Sequence, residues 1–443
     1  MRMRPLRSTG LATASVRARP SAFAGTFAAL VFSATVVTAC VSMTVSASGA
    51  PKSPEQSDVS EMGVAFSLLT VYMSIFVIGQ VMSLAVAQRH RESALLRAVG
   101  AGPWQIRRMV ATEALWAALL ALPVGYGLGA GLARIWYDGM AGEGLLPDGM
   151  TLEVGLPPLF AAGGVLLVCS QLGGVVGAWR ASRTRPSAAL ADSAVQGGAR
   201  PGRLRGVASL VFLVGAGALT VAAGHAPEED AASVIPLVLL AHLVAIGLAG
   251  PWIGRLATAL AAPLLHRVGG AAGELAVAGC RARARRLSAA ITPVALVTAF
   301  AVAKFVSLTG AGEPDWMEIF GTLLYAGFAA LVAANTLVML TLERLREFSL
   351  LRTVGAEKRQ VVAVVLAEGA VIALAGAGSG ALAGCAVMVP LGEKTGTPVS
   401  GLPAWVWAAT LLSGAVLVWA ASCAPLGRLL RVRPVEGVTR RSS

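Results

Sequence analysis

Charge is scarce in this chain. Asp, Glu, Lys and Arg make up 13% of its 443 residues, against 56% hydrophobic residues and a mean hydropathy of +0.72. A soluble surface needs roughly a quarter of its residues charged, so an ordinary water-soluble domain is excluded. Lysine is rarer still: Lys52, Lys304, Lys358 and Lys394 are the only four, and none closes a G-x-x-x-x-G-K-[ST] loop. The chain therefore has no P-loop with which to bind ATP itself. Its histidines (His90, His225, His242, His266) lack ligand spacing. Its five cysteines (Cys40, Cys169, Cys280, Cys385, Cys423) suggest neither a disulfide frame nor a metal site. No nucleophile constellation stands out, so no catalytic residue, metal or cofactor is assigned.

What the chain has is long apolar runs. A bilayer core takes about 20 apolar residues as helix, and ten runs qualify: 21–45, 62–88, 110–133, 154–179, 206–224, 231–254, 287–309, 319–342, 369–392 and 403–425. The net charge of +13 is not spread evenly. The amino-terminal tail and segments 89–108, 180–205, 255–286, 343–359 and 428–441 hold 32 of the 36 Lys and Arg. The segments between them are short and acidic, as in Glu228-Glu229-Asp230. Alternation of this kind is the positive-inside pattern. It argues against nucleic-acid binding and predicts an all-α polytopic membrane protein of ten transmembrane helices, both termini cytoplasmic. Val37-Thr38-Ala39-Cys40 resembles a lipoprotein cleavage box, but the apolar run continues to Val45, so the first run is expected to stay as a helix.

The chain also repeats itself. Arg91–Ala101 reads RESALLRAVGA and Arg346–Ala356 reads REFSLLRTVGA. In one register, eight identities in that stretch are joined by Gln105 with Gln360, Val110 with Val365 and Glu113 with Glu368. Gly125 with Gly380 and Gly129 with Gly384 follow inside the next run. Duplication at a fixed offset defines a repeated unit. The expected plan is two parallel four-helix repeats joined by a two-helix insert, with units at 1–205 and 255–443 around 206–254. The two repeats would be related by a pseudo-twofold axis along the membrane normal. Pro20-Ser21-Ala22 and Leu287-Ser288-Ala289 are read as corresponding openings of the two repeats.

Leu95, Leu96 and Val99, like Leu350, Leu351 and Val354, fall on one face of a short helix. Arg91, Glu92 and Arg97 flank the first copy, and Arg346, Glu347 and Arg352 the second. Gly100 and Gly355 stand where each helix should end, since glycine tolerates the left-handed position there, and Pro103 suits the first turn of the next helix. Each copy is thus an amphipathic helix on the basic side. A helix lying on anionic lipid needs only an amphipathic pattern. Retention of Leu-Leu-Arg-x-Val-Gly-Ala, with an acidic residue beside Arg91 and Arg346, favours a protein partner. Gly125 and Gly129, and Gly376, Gly380 and Gly384, form small-xxx-small packing faces. They are expected to hold neighbouring helices or to meet each other across the axis. Glu113 and Glu368, near the basic ends of those runs, are expected to be ion-pair partners.

RESALLRAVGA, followed by WQIRRMVATEALW, and its second copy resemble the signature of FtsX-like permeases, the membrane subunits of macrolide-exporter and lipoprotein-release ABC transporters. The ten-helix plan is most similar to the bacitracin-exporter type. The resemblance implies that residues 90–101 and 345–356 are coupling helices, docking a cytoplasmic ATPase dimer that binds the ATP. Arg91, Glu92, Leu95, Leu96, Arg97, Gly100 and Ala101 would serve one ATPase. Arg346, Glu347, Leu350, Leu351, Arg352, Gly355 and Ala356 would serve the other. The setting implied is a bacterial cytoplasmic membrane, and the cargo a hydrophobic compound, antimicrobial peptide or lipid. Segments 46–61 and 310–318 are too short for the external domain that relatives commonly carry. The alternative is an ion-coupled carrier with parallel repeats, for which Lys304, Asn335 and His242 are the polar residues to weigh.

Overall fold

Apolar segments in lipid must satisfy their backbone hydrogen bonds internally, and a helix does so residue by residue. The computed structural model describes residues 20–52, 54–88, 100, 102–147, 149–183, 203–225, 228–310, 316–395 and 403–429. Among the described residues there are helices and no strands. The helices are α1 (Pro20–Gly49), α2 (Pro54–Gln88), α3 (Pro103–Gly142), α4 (Leu156–Arg183), α5 (Arg203–His225), α6 (Glu228–Ala282), α7 (Ala284–Gly310), α8 (Trp316–Glu343), α9 (Leu345–Thr353), α10 (Lys358–Thr395) and α11 (Ala404–Leu429). Eight of them hold a stretch long and apolar enough to cross a membrane. Two shorter apolar stretches, Val59–Tyr72 and Leu287–Ala303, lie within α2 and α7.

The chain forms two compact units, Met1–Gln196 and Gly197–Ser443. In the first, α1 packs on α2, α3 and α4, while α2 and α3 each pack on α4. In the second, α7 packs on α8, α10 and α11, while α8 and α10 each pack on α11. The same five pairings therefore occur in both units. The first core is built of small side chains, Ala34, Ala114, Ala117, Ala118 and Ala121, closed by Leu30, Ile78 and Leu166. Its polar complement is a ladder between α1 and α2. Ser33 donates to Ser74, Cys40 lies 3.5 Å from Thr70, and Thr44 lies 3.3 Å from Ser67. Hydroxyl contacts of this sort hold helices together where the surroundings offer no water. Cys40 is thus buried mid-helix. The outward side of α3 exposes Leu119, Leu120, Val124, Leu128 and Ile135, a belt that hydrocarbon tolerates and water does not.

Each glycine face holds the first helix of its own unit. A Cβ at Gly125 would meet Ala34 Cβ at 2.4 Å and Val31 O at 2.8 Å, and one at Gly129 would meet Thr35 O at 2.6 Å. At Gly380 and Gly384 the corresponding contacts are Ala295 O at 2.4 Å and Ala299 O at 3.0 Å, and Gly376 lies against Val294. These contacts fix a register that sequence alone missed. Val31 answers to Ala295 and Thr35 to Ala299, which aligns Arg17-Ala18-Arg19 with Arg281-Ala282-Arg283 rather than Pro20-Ser21-Ala22 with Leu287-Ser288-Ala289.

Of residues 255–286, read from sequence as a basic loop, 255–269 continue α6 as helix, the chain turns at Gly270 (φ 49°, ψ −138°), and a second helical stretch runs on to Ala282. Pro251 explains how α5 and α6 are held to α7. A proline has no N–H to give the carbonyl four residues back, so Gly247 O lacks its helical donor. Arg205 supplies one from α5 at 2.8 Å, and Ser288 from α7 at 3.1 Å.

Candidate functional site

The second copy of the repeated stretch forms α9, a nine-residue helix between two single-residue or short breaks. Arg344 alone separates it from α8. At its other end the chain reverses in a Schellman motif: Gly355 N donates to Arg352 O (3.2 Å) and Ala356 N to Leu351 O (3.0 Å). Gly355 takes φ 108°, and its counterpart Gly100 takes φ 104°. Gly355 therefore ends its helix as its position in the sequence asked, and Gly100 shares its left-handed conformation.

The next helix is capped in the same way in both units. The amide of Gly102 donates to Gln105 Oε1 and that of Glu357 to Gln360 Oε1, each at 2.9 Å. An amide side chain here satisfies one of the donors that every helix start leaves free. This is the role of the repeated glutamine, which the sequence marked only as an identity.

The faces of α9 divide differently from the expected leucine stripe. Phe348 is buried and packs with Leu351 and Ala356 on Val361 and Val365 of α10 and Leu426 of α11. Leu350 is 45% exposed and Val354 89% exposed. The apolar residues thus split into an anchor, Phe348 and Leu351, and an outward pair, Leu350 and Val354. Residues 91–99 and Ala101 of the first copy lie outside the described residues; Gly100 is described and exposed.

Four charged residues bind α9 to its surroundings. Glu347 accepts from Arg283 Nη2 at 2.8 Å and lies 3.4 Å from Arg344 Nε. Arg344 also pairs through both terminal nitrogens with Glu368 of α10, Nη2 at 2.9 Å from Oε1, and its guanidinium stacks 4.8 Å over the Phe348 ring. Glu368 is buried, and Gly279 leaves the space its carboxylate fills, since a Cβ there would come within 2.8 Å of Oε1. Burial opposes the charge on Arg344. The hydrogen bond and attraction of Glu368, together with Glu347, outweigh it and hold the guanidinium above its ordinary value. Of this quartet, Glu368 was expected as an ion-pair partner, and Glu347 only as a residue flanking the apolar face that the family resemblance turns towards an ATPase. Arg344 and Arg283 were missed, although Arg344 matches Arg89 when the repeat is read two residues further back.

The family model for the FtsX-like permease C-terminal region matches the chain twice, over residues 64–186 and 319–434. This chain belongs to the FtsX-like permease family. It is a multi-pass membrane protein of the ABC-transporter permease class, whose members normally work with a cytoplasmic ABC ATPase. Comparison with curated proteins gives no match. Both matched regions of this FtsX-like permease contain a copy of the repeated stretch, and the second takes in α9, Arg344 and Glu368.

Proposed function

We propose that the chain is driven in trans by a separate cytoplasmic ATPase, bound as a dimer on residues 90–101 and 345–356. The observation that carries this reading is α9 itself, fastened by Phe348 and Leu351 while Leu350 and Val354 face outward. Exposed apolar side chains at the end of a rigid helix are what a docking groove recognises. Ten membrane spans follow if α2 and α7 cross as well. Both are long enough, at 35 and 27 residues, for a hydrocarbon core about 30 Å thick. The basic segments then lie in the cytoplasm with both termini, and the membrane is that of a bacterial cell.

The recurrence of five helix pairings supports two four-helix units joined by the α5–α6 insert. The short segments 46–61 and 310–318 leave no external domain for handling a soluble cargo. Cargo is accordingly a hydrophobic compound, an antimicrobial peptide or a lipid, moved through or drawn from the bilayer. The test is L350D/V354D in the full chain, assayed by co-purification of the ATPase and by ATP hydrolysis in nanodiscs. Loss of both, with the permease still folded, is expected. Wild-type co-purification and turnover would overturn docking at this site. The structure redirects the choice of residue here: Leu351 packs inward, so its substitution would damage the fold.

A further inference from the structure

We infer that the quartet Arg283, Glu347, Arg344 and Glu368 is the linkage by which movement of α9 reaches α7 and α10, a positioning role separate from docking. The inference rests on the proposed function, because it supposes that a partner moves α9.

The geometry is particular. Arg283 fills the single-residue break between α6 and α7, and Arg344 the single-residue break between α8 and α9. Two helix joints therefore each carry an arginine, and Glu347 on α9 joins them. Arg344 then passes the connection to buried Glu368 on α10. The helices at the two ends of this chain of charges, α7 and α10, are those that meet through Gly376, Gly380 and Gly384. A displacement of α9 thus acts directly on the most closely packed pair in its unit. Paired charges suit such a linkage, because they hold orientation as well as distance: the guanidinium fork engages both oxygens of Glu368.

Sequence supplies independent support. The 255-residue repeat places Arg89, Glu92 and Glu113 opposite Arg344, Glu347 and Glu368, and the glycine contacts place Arg19 opposite Arg283. All four residue types recur. Docking alone does not call for this, since neither Glu368 nor its counterpart lies on the outward side of a coupling helix.

The test uses the full chain in nanodiscs with the ATPase that co-purifies with it. Glu368→Gln, outside the docking stretch, should leave the ATPase bound while cutting permease-dependent ATP hydrolysis by about tenfold, within the range of ordinary site-to-site coupling, and Glu347→Arg should cut hydrolysis as well. Adding Arg283→Glu to Glu347→Arg should restore part of the hydrolysis, because that pair is re-formed with its signs exchanged while the link from position 347 to Arg344 stays broken. Arg283→Gln, at a partly exposed side chain, gives a variant that folds if Glu368→Gln does not. Wild-type hydrolysis in these variants, or failure of the charge exchange to restore any of it, overturns the linkage. Loss of ATPase binding in Glu368→Gln or Arg283→Gln also overturns it, by assigning the quartet to the docking surface. If the wild-type chain binds no ATPase, the proposed function fails first, and that result is distinct from the others.

Discussion

At the scale of single residues, the site depends on a few side chains and one missing one. Gly355 has φ 108°, a region that costs an L-residue about 1–3 kcal/mol. Open space surrounds it, so the penalty in Gly355→Ala is conformational and not steric. The expected result is a lower thermal midpoint in detergent, with a proportionate loss of ATPase binding as α9 loses its orientation. An unchanged midpoint would show that the turn relaxes freely. The glycines of the repeat were legible in the sequence because a backbone requirement selects one residue type. Arg283 was not legible, since its partner Glu347 is 64 positions away and the packing of α6 and α7 on α10 brings the joint and α9 together. The division of α9 into Phe348 inside and Val354 outside was hidden for a related reason. Helical periodicity identifies a face, but the neighbours on both sides decide which residues are covered.

At the scale of helices, the small-xxx-small faces carry the clearest energetic statement. A Cβ at Gly380 would stand 2.4 Å from Ala295 O, whereas one at Gly378, two residues away on the same helix, meets nothing within 4 Å. Overpacking of a close interface costs about 1–3 kcal/mol. Gly380→Ala should therefore lower stability measurably in a thermal melt, and Gly378→Ala should leave it unchanged or raise it slightly through helix propensity. Equal effects at both positions would mean that α7 and α10 are not held by this approach. Apolar periodicity and small-residue spacing made the helices and their sticky faces readable. They could not name the partner: the sequence left open whether the two faces met each other, and the contacts assign each to the first helix of its own unit. The helical course of 255–282 was masked for another reason. Its arginines and histidine looked like a loop, yet helix formation does not require an apolar run once packing on α7 and α10 is available.

At the scale of the whole molecule, orientation is the property on which function turns, and it follows from charge. An ion-coupled carrier would place ionisable groups in its interior. Here buried His242 lies with Nδ1 2.9 Å from Val238 O of its own helix, and buried Glu368 is committed to Arg344. Energy from an ATPase must arrive from the cytoplasm, so both copies of the repeated stretch have to face it. Trp104 is 73% exposed beside the first copy, Arg359 is exposed beside the second, and Lys52 is exposed in an intervening segment. Single cysteines at these three positions should separate cleanly with a membrane-impermeant maleimide. Lys52→Cys should label in intact cells, and Trp104→Cys and Arg359→Cys only after permeabilisation. The native thiols are buried or half-buried, which keeps the background low. Labelling of position 104 or 359 from outside would invert the topology, place α9 beyond the reach of any cytoplasmic ATPase, and remove the basis for coupling at either copy.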